Sequence, residues 1–271
     1  MKKLKPLREF ALEEKFFVVG HRGSSGTAPE NTLPSYIKAI ESGCEMLEID
    51  IQTTADNRII TFHDPTLERT TNGKGKVKDF DYKQLQSYDA GSWFSSEFSG
   101  TKIPLMDDVL KLVAGKVYLN IEIKSSGKFN TLEEAEYLLG KIMDAELEDY
   151  TLLASFNYDI LKKIKISNNN IHTAAIKLPA DKRLSSEIAS EIGCEAFVCS
   201  LNEINQTISD DAEKSGLYIG VYSIDTEEHL KKFLRYNIKA LVTNFPEKII
   251  KLLKSNSINQ KNFIPGSAGI S

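Results

Sequence analysis

The chain has 271 residues, 41% hydrophobic and 27% charged, so it is long enough for one large folded domain and too apolar for disorder. Its 34 basic and 38 acidic side chains give a formal net charge of −4, which excludes the strongly basic surface of a nucleic-acid binder. No apolar run approaches the roughly 20 residues that span a bilayer, and the N-terminal lysines are not followed by the apolar segment of a signal peptide. We therefore predict no nucleic-acid partner, no transmembrane segment and a cytoplasmic location.

Short runs rich in β-branched and aromatic residues alternate with helical patterns along the chain. The predicted strands are, in chain order, residues 16–20, 46–52, 58–63, 117–124, 151–155, 172–177, 196–200, 218–222 and 240–243. The predicted helices are residues 31–43, 104–113, 131–145, 159–166, 185–192, 207–214, 226–236 and 247–254. Regular strand–helix alternation indicates parallel strands with helices outside them. The pattern predicts an α/β fold, a TIM-type (β/α)8 barrel in a single catalytic domain over about residues 16–254.

The predicted strands number nine, one more than the barrel needs, and the surplus lies at residues 46–63, where no helix fits between two strands. A tight hairpin at residues 55–58 would pair position 50 with position 63 and bring Asp50 opposite His63. Two parallel barrel strands with a short return loop would also bring both residues to one rim. The sequence leaves both arrangements open.

Two segments interrupt or follow the alternation. Residues 65–103 are rich in Gly, Ser, Thr, Asp and Lys, and 39 residues are too many for an ordinary connection. We predict a small inserted subdomain over the active face, after the His63-Asp64 motif, whose aromatic side chains form its own core rather than a lipid-binding surface. The polar residues 255–271 predict a flexible C-terminal tail.

Charged side chains inside the predicted strands carry the chemistry. Glu48 and Asp50 point to one side of an otherwise apolar strand, and Glu122 and Lys124 repeat the pattern on the next predicted barrel strand. Barrel strands pack aliphatic residues outward against helices, so these polar sets should point inward at the C-terminal mouth, where barrel enzymes react. Three carboxylates without His or Cys at ligand spacing suit a hard cation such as calcium or magnesium. The alternative, equally weighted from these residues alone, is a set of structural ion pairs of Glu122 with Lys124 or Arg22.

Two histidines occur where predicted strands end. His21, Arg22 and Gly23 follow the first strand directly, and a His in that position can act as a general acid or base while an adjacent Arg binds phosphate. His63 and Asp64 end the third strand in the same way. Taken singly, each motif also fits an ordinary turn. Two histidines, an arginine and three carboxylates at strand ends together predict an active site.

These residues belong to an ordered set of motifs with a family resemblance. The set comprises His21-Arg22-Gly23, Pro29-Glu30-Asn31-Thr32, Glu48-x-Asp50, Thr54-x-Asp56, His63-Asp64, Leu67-x-Arg69-Thr70-Thr71-x-Gly73-x-Gly75, Ile103-Pro104-Leu105 and Glu122-x-Lys124. It resembles the glycerophosphodiester phosphodiesterase family. The resemblance is highly specific over residues 20–75, extends to about residue 125 and is looser beyond.

The resemblance implies a TIM-type barrel with a small insertion after the His-Asp motif. It implies a phosphoric diester hydrolase that converts glycerophosphodiesters, such as glycerophosphocholine or glycerophosphoethanolamine, to glycerol-3-phosphate and an alcohol. It also implies one divalent cation, calcium or magnesium. The residues that the resemblance assigns are, by role, His21 and His63 for acid–base catalysis, Glu48, Asp50 and Glu122 for the cation, and Arg22 and Lys124 for the phosphate.

Three positions depart from the family pattern. Asn57 replaces a common Gly, Asn244 replaces a common Asp, and Tyr222 stands where a Trp often lines the glycerol end of the pocket. Tyr222 is therefore predicted to bind substrate. Two alternative functions remain at this stage: a lysophospholipase D-type or other phosphodiester lipid hydrolase on the same barrel, and a catalytically silent phosphate-binding barrel.

Overall fold

The computed structural model of the protein describes residues 4–126, 129–256 and 258. Within these ranges the strands are β1 (Phe17–Gly20), β2 (Met46–Thr53), β3 (Ile59–Thr61), β4 (Tyr118–Ile123), β5 (Thr151–Ser155), β6 (His172–Ile176), β7 (Ala196–Ser200), β8 (Tyr218–Tyr222) and β9 (Ala240–Thr243). The α-helices are α1 (Leu7–Glu13), α2 (Leu33–Ser42), α3 (Tyr82–Leu85), α4 (Met106–Val113), α5 (Leu132–Asp144), α6 (Tyr158–Ser167), α7 (Ser185–Ile192), α8 (Gln206–Lys214), α9 (Glu227–Phe233) and α10 (Pro246–Ser255).

Eight of the described strands run parallel and close into a barrel. The order around the barrel is β1, β2, β4, β5, β6, β7, β8 and β9, and β9 returns to pair with β1. Helices connect successive strands on the outside. The predicted TIM-type (β/α)8 barrel is therefore confirmed, and the carboxyl ends of all eight strands meet at one mouth.

The surplus strand is the second arm of a hairpin. β3 runs antiparallel to β2 and pairs Ile51 with Thr61, one residue out of the register that would place Asp50 opposite His63. The loop is one residue longer than a two-residue turn, because Asn57 adopts the left-handed region at φ 59° and the Thr54 amide donates to the Arg58 carbonyl at 3.0 Å. The predicted pairing of positions 50 and 63 is wrong, since Phe62 N donates to Asp50 O instead.

The helices largely follow the sequence pattern. α2 begins after Thr32, carries Pro34 in its first turn and ends at Gly43, whose φ of 87° is accessible to glycine without strain. The sequence pattern did not predict α1. That helix lies under the barrel at the amino ends of the strands, where Leu7 and Phe10 pack against Tyr118 and Phe17.

Two separate apolar layers follow from the alternation along the strands. The outward residues of β2 and β4, among them Ile49 and Ile121, pack against the helices in one large core. The inward residues form a floor near α1 and an apolar wall made by β5, β6 and β7. The inward positions Glu48 and Glu122 lie above that floor. The prediction that the polar faces of β2 and β4 point inward is thus confirmed.

The segment 65–103 contains α3 and short 3-10 turns at Val77–Asp79 and Ser96–Phe98. Together with Ile60 and Phe62 from the β3 arm, it forms a buried cluster that also contains Leu67, Val77, Leu85, Ala90 and Ile103. Tyr82 and Tyr88 pack against this cluster, and Phe98 is buried, whereas Trp93 is exposed. Through these contacts the segment packs against the β3 arm of the hairpin, and its division into a separate subdomain stays a prediction.

The last helix, α10, ends at Ser255, one residue beyond the predicted boundary. The predicted flexible tail, residues 255–271, otherwise lies almost entirely outside the described residues. Cys44, Cys194 and Cys199 are buried free thiols. Among the described helices, none is both long enough and apolar enough to cross a membrane.

Candidate active site

The strand ends surround a cavity of about 260 Å³ at the mouth of the barrel. Of the predicted site residues, those that line the cavity are His21, Arg22, Glu48, His63, Glu122, Lys124 and Tyr222. Asp50, the eighth, is fully buried and pairs with the cavity-lining Lys124. A larger open groove of about 410 Å³ lies beside α10 and contains none of these residues. The structure therefore brings all the predicted site residues together at one place.

Three carboxylates form a compact cluster inside the barrel. Glu48, Asp50 and Glu122 are all buried, and one ligand oxygen from each lies within 4.8 Å of the others. The strand register explains this proximity, because Asp50 on β2 pairs directly with Glu122 on β4, and both side chains point inward. β2 also carries Glu48 on the same face, because Glu48 precedes Asp50 by two residues and alternate strand residues point to the same side.

The three carboxyl groups have very different proton affinities. Burial raises the pKa of Glu48 to about 8 and that of Glu122 to about 7, and the negative charge of Asp50 adds to both shifts. Burial also opposes ionisation of Asp50, but Lys124 and Arg22 outweigh it and lower the Asp50 pKa. The positive neighbours of Asp50 thus favour its ionised form, whereas burial favours the protonated forms of Glu48 and Glu122.

Of the ion pairs that the sequence allowed, Glu122 with Lys124 is present, whereas Arg22 pairs with Asp50 instead, and these pairs do not satisfy the cluster. Lys124 Nζ lies 2.7 Å from Asp50 Oδ1 and also bonds Glu122, while Arg22 Nε lies 3.2 Å from Asp50 Oδ2. Glu48 accepts only a backbone bond from Arg22 N at 2.8 Å among the described contacts, and its buried Oε1 has no hydrogen-bond partner there. An unpartnered carboxylate oxygen beside two other carboxylates fits a hard divalent cation.

Asn244 determines which nitrogen of His21 carries the proton. His21 Nδ1 lies 2.7 Å from Asn244 Oδ1, which also accepts from Ser25 Oγ, and Asn244 Nδ2 donates to Asp225 at 2.6 Å. With Oδ1 fixed as an acceptor, Nδ1 is the donor and Nε2 keeps its lone pair. Burial and the neighbouring Arg22 lower the His21 pKa, so the ring is neutral near pH 7. The ring also stacks on Tyr222, whose pKa burial raises to about 12.

His63 has a carboxylate partner instead of an amide. Its Nδ1 lies 2.6 Å from Asp64 Oδ1, and Arg69 holds Asp64 through Nε at 2.5 Å. Arg69 also makes a bidentate pair with Glu30, which in turn accepts from Arg22 at 2.9 Å. The hydrogen bond that Arg69 donates to Asp64 lowers the pKa of Asp64 to about 2, whereas burial lowers the pKa of His63. This network connects the two sides of the cavity through charged hydrogen bonds.

Sequence reasoning missed several residues that position the predicted ones. Asn31 donates to Asp50 Oδ2 at 2.7 Å and accepts from Asp50 N and Tyr36 Oη, at a φ of 55° that Asn tolerates better than most residues. Gln52 donates to the Asp64 carbonyl at 2.6 Å and so anchors the end of β3. Both lie in or beside motifs used for the resemblance, but only the spatial contacts show what they hold.

The cavity has a charged half and an apolar half. The charged half comes from β1, β2, β4 and the end of β3, while Phe156, Ile176 and Val198 line the opposite wall. A ligand in this cavity would therefore contact charged side chains on one side and apolar side chains on the other.

Comparisons with known proteins agree with this geometry. Residues 21–248 match the sequence model of the Glycerophosphoryl diester phosphodiesterase family. The chain belongs to this family. It is 32% identical to YhdW of Bacillus subtilis over 245 residues, covering 89% of this chain and all of that protein. It is 30% identical to a glycerophosphodiester phosphodiesterase of Caldanaerobacter subterraneus over 247 residues, covering 89% and 98% of the two chains.

Solved structures of the family share the fold. An Oleispira antarctica phosphodiesterase, solved in complex with the product sn-glycerol-3-phosphate, superimposes with a TM-score of 0.82. That structure is 26% identical to this chain and is covered over 96% of its length, with 88% of this chain matched. Family and fold together identify the chain as a member of a hydrolase family, as the sequence motifs predicted.

Proposed function

We propose that the protein hydrolyses glycerophosphodiesters to glycerol-3-phosphate and an alcohol, with a divalent cation and two histidines. One observation carries the proposal: His21 and His63 share a single cavity with a buried carboxylate cluster and two cations of the protein, Arg22 and Lys124. Hydrolysis of an anionic phosphodiester needs positive charge and proton transfer, and the side chains of this cavity can supply both.

Glu48, Asp50 and Glu122 are the residues that would hold the cation, and calcium or magnesium suits three oxygen donors. When bound, such an ion supplies a positive charge that stabilises phosphate oxygens and lowers the pKa of a nearby hydroxyl. Arg22 and Lys124 line the same cavity and are proposed to bind the phosphate oxygens. Tyr222 forms the wall beside His21 and is proposed to contact the glycerol carbons.

The two histidines are proposed to have different roles because their Nδ1 partners differ. His21 bonds a neutral amide oxygen, is kept unprotonated and presents the Nε2 lone pair, so it is suited to accept the proton of the attacking oxygen. Burial lowers the pKa of His63, and the hydrogen bond to the Asp64 carboxylate opposes that shift by stabilising the imidazolium. His63 is therefore better suited than His21 to protonate the leaving alcohol.

The activity is tested by measuring glycerol-3-phosphate release from a panel of glycerophosphodiesters. The assay runs with chelator and then with calcium or magnesium restored. We expect release that chelation abolishes and the ion restores. Release that chelation leaves unchanged would remove the cation from the proposal, and no release from any substrate would remove the hydrolase activity.

The roles of the histidines are tested with two leaving groups. Each His→Ala variant should lose roughly 10²–10⁴-fold in turnover of glycerophosphocholine, whose choline leaving group needs a proton. With glycerophosphate p-nitrophenyl ester as the substrate, the leaving group departs as p-nitrophenolate and needs no proton. With this substrate, His63→Ala should regain most of the lost turnover and His21→Ala should not. Equal recovery by both variants would contradict the assignment.

The apolar wall supports lysophospholipid hydrolysis of the lysophospholipase D type as a second candidate. Phe156 and Ile176 line the cavity, and Leu178 and Leu184 are partly exposed in the loop after β6. An acyl chain leaving the cavity on that side would cover apolar rather than charged surface. Lysophospholipids in the same substrate panel decide this, since turnover faster than that of glycerophosphocholine would favour the lipid.

A further inference from the structure

Asn120 is a polar residue of the cavity to which neither the motifs nor the proposed mechanism assign a role. It lies on β4, two residues before Glu122, and its side chain faces the same cavity. Only 8% of its surface is exposed, and within the described part of the chain its buried Oδ1 has no hydrogen-bond partner. Buried carbonyl oxygens are nearly always satisfied, so an exception in a ligand cavity indicates that a ligand supplies the partner.

The neighbour of Asn120 has the same deficiency. β2 and β4 pair Glu48 with Asn120, in the layer directly below the pair of Asp50 and Glu122. Glu48 Oε1 is likewise buried without a hydrogen-bond partner among the described residues. Two unpartnered oxygens therefore occupy adjacent inward positions at the edge of the carboxylate cluster. Neither oxygen can satisfy the other, because both are acceptors, whereas a positive ion satisfies both.

We propose that Asn120 Oδ1 is a fourth protein ligand of the divalent cation, beside the three carboxylates. The inference rests on the proposed function, because it extends the cation site proposed there. Calcium takes six to eight oxygens and commonly includes amide carbonyls among them.

The charges around the cluster favour an amide over a fourth acid at this position. Three buried carboxylates already lie close together, and Arg22 and Lys124 form ion pairs with them. An amide adds a ligand oxygen without adding another negative charge. It therefore strengthens cation binding without increasing the repulsion that an anionic substrate experiences on entering the cavity.

A purely structural role makes the opposite prediction for one substitution. If the amide were turned round, its N–H would donate to Glu48 Oε1 and merely hold that carboxylate in place. Asn120→Asp keeps an oxygen ligand but removes the N–H donor, whereas Asn120→Leu removes both at similar volume. The two variants therefore separate a ligand from a positioning group.

The test uses the full chain stripped of metal, with calcium chloride and then magnesium chloride titrated by calorimetry at pH 8. Val198→Thr, which changes polarity on the opposite wall of the cavity, is the matched control. We expect Asn120→Leu to weaken calcium binding tenfold or more. The calcium Kd of Val198→Thr should stay within about threefold of the wild type. Asn120→Asp should bind calcium within about threefold of the wild type or more tightly. Circular dichroism and thermal melting in chelator establish whether each variant is folded. If Asn120→Leu is not folded, the calcium affinity of Asn120→Asp alone decides between a ligand and a positioning group.

Unchanged affinity in Asn120→Leu would overturn the inference, and so would equal weakening in Asn120→Asp. If the wild type bound neither ion, the cation of the proposed function would fail and this inference with it. If the wild type bound calcium and Asn120→Leu bound it equally well, the inference alone would fail. The two failures are therefore distinguishable.

Discussion

Cation affinity should depend steeply on pH, because the free site holds protons that a cation must displace. Burial and the charge of Asp50 raise the pKa of Glu48 to about 8 and that of Glu122 to about 7. Both carboxylates must be ionised to bind a divalent ion through their oxygens. Lowering the pH from 8 to 6 is therefore the perturbation that tests the electrostatics of the site.

The size of the effect follows from these two pKa values. At pH 6, a group of pKa about 8 is ionised in roughly 1% of molecules and a group of pKa about 7 in roughly 10%, so the doubly ionised site is present in about 0.1%. At pH 8 the same site is present in roughly 45% of molecules. The calcium Kd should therefore be several hundred-fold weaker at pH 6 than at pH 8.

The assay is calorimetric titration of calcium into metal-free protein at pH 6, 7 and 8. Repeating each titration in buffers of different ionisation enthalpy counts the protons released, which should approach two at pH 6 and fall below one at pH 8. Glu122→Gln removes one protonation step together with one ligand, so it should bind calcium more weakly at pH 8 and show a flatter dependence on pH. A Kd that changes less than tenfold between pH 6 and pH 8 would refute the reasoning.

The same shifts give a stability prediction with a definite sign. Because the folded pKa values of Glu48 and Glu122 lie above the usual 4.5, the folded protein binds more protons than the unfolded chain between about pH 4.5 and 8. The metal-free protein should therefore lose stability as pH rises through that window. In thermal melting with chelator, the Tm of the wild type should fall between pH 6 and pH 8, and it should fall more than the Tm of Glu48→Gln does. Added calcium should raise the Tm of the wild type most at pH 8.

Three further substitutions test separate parts of the structure. Asn244→Ala removes the acceptor that keeps the proton on His21 Nδ1, so kcat should fall about 10–100-fold with KM within about threefold, and an unchanged kcat would argue against that contact. Arg69→Met breaks a bridge between two carboxylates, and urea unfolding should show a loss of about 1 kcal/mol, with no loss contradicting the role given to the network. Gly91→Ala places Cβ 1.9 Å from the Phe98 carbonyl oxygen, so it should destabilise the protein by about 1–3 kcal/mol with kcat nearly unchanged.

The barrel and the charged half of the cavity could be predicted from the sequence because both depend on local periodicity. Strands β5, β7, β8 and β9 begin and end where the pattern predicts, since each is a short apolar run bounded by helical segments. Inward polar residues on β2 and β4 stand out against aliphatic neighbours, and parallel strands bring their ends to one mouth. The predicted site residues met there for that reason.

What the sequence could not give are the contacts that satisfy single atoms. Asn244 looked like a departure from a family pattern, yet it contacts His21 across 223 residues of chain. Only the positions of the neighbouring atoms show that Asn120 Oδ1 has no hydrogen-bond partner among the described residues. The hairpin register failed by one residue because Asn57 adopts a positive φ, which lengthens the loop without changing the strand pattern.

α1 has a consequence for how molecules exchange. It packs Leu7 and Phe10 against the apolar residues that fill the barrel below the cavity. Substrate and both products then use the same opening at the barrel mouth, so a product that dissociates slowly blocks binding of the next substrate. Glycerol-3-phosphate, if it is the product, should act as a competitive inhibitor, and the order of departure should be set by which product sits nearer the doorway.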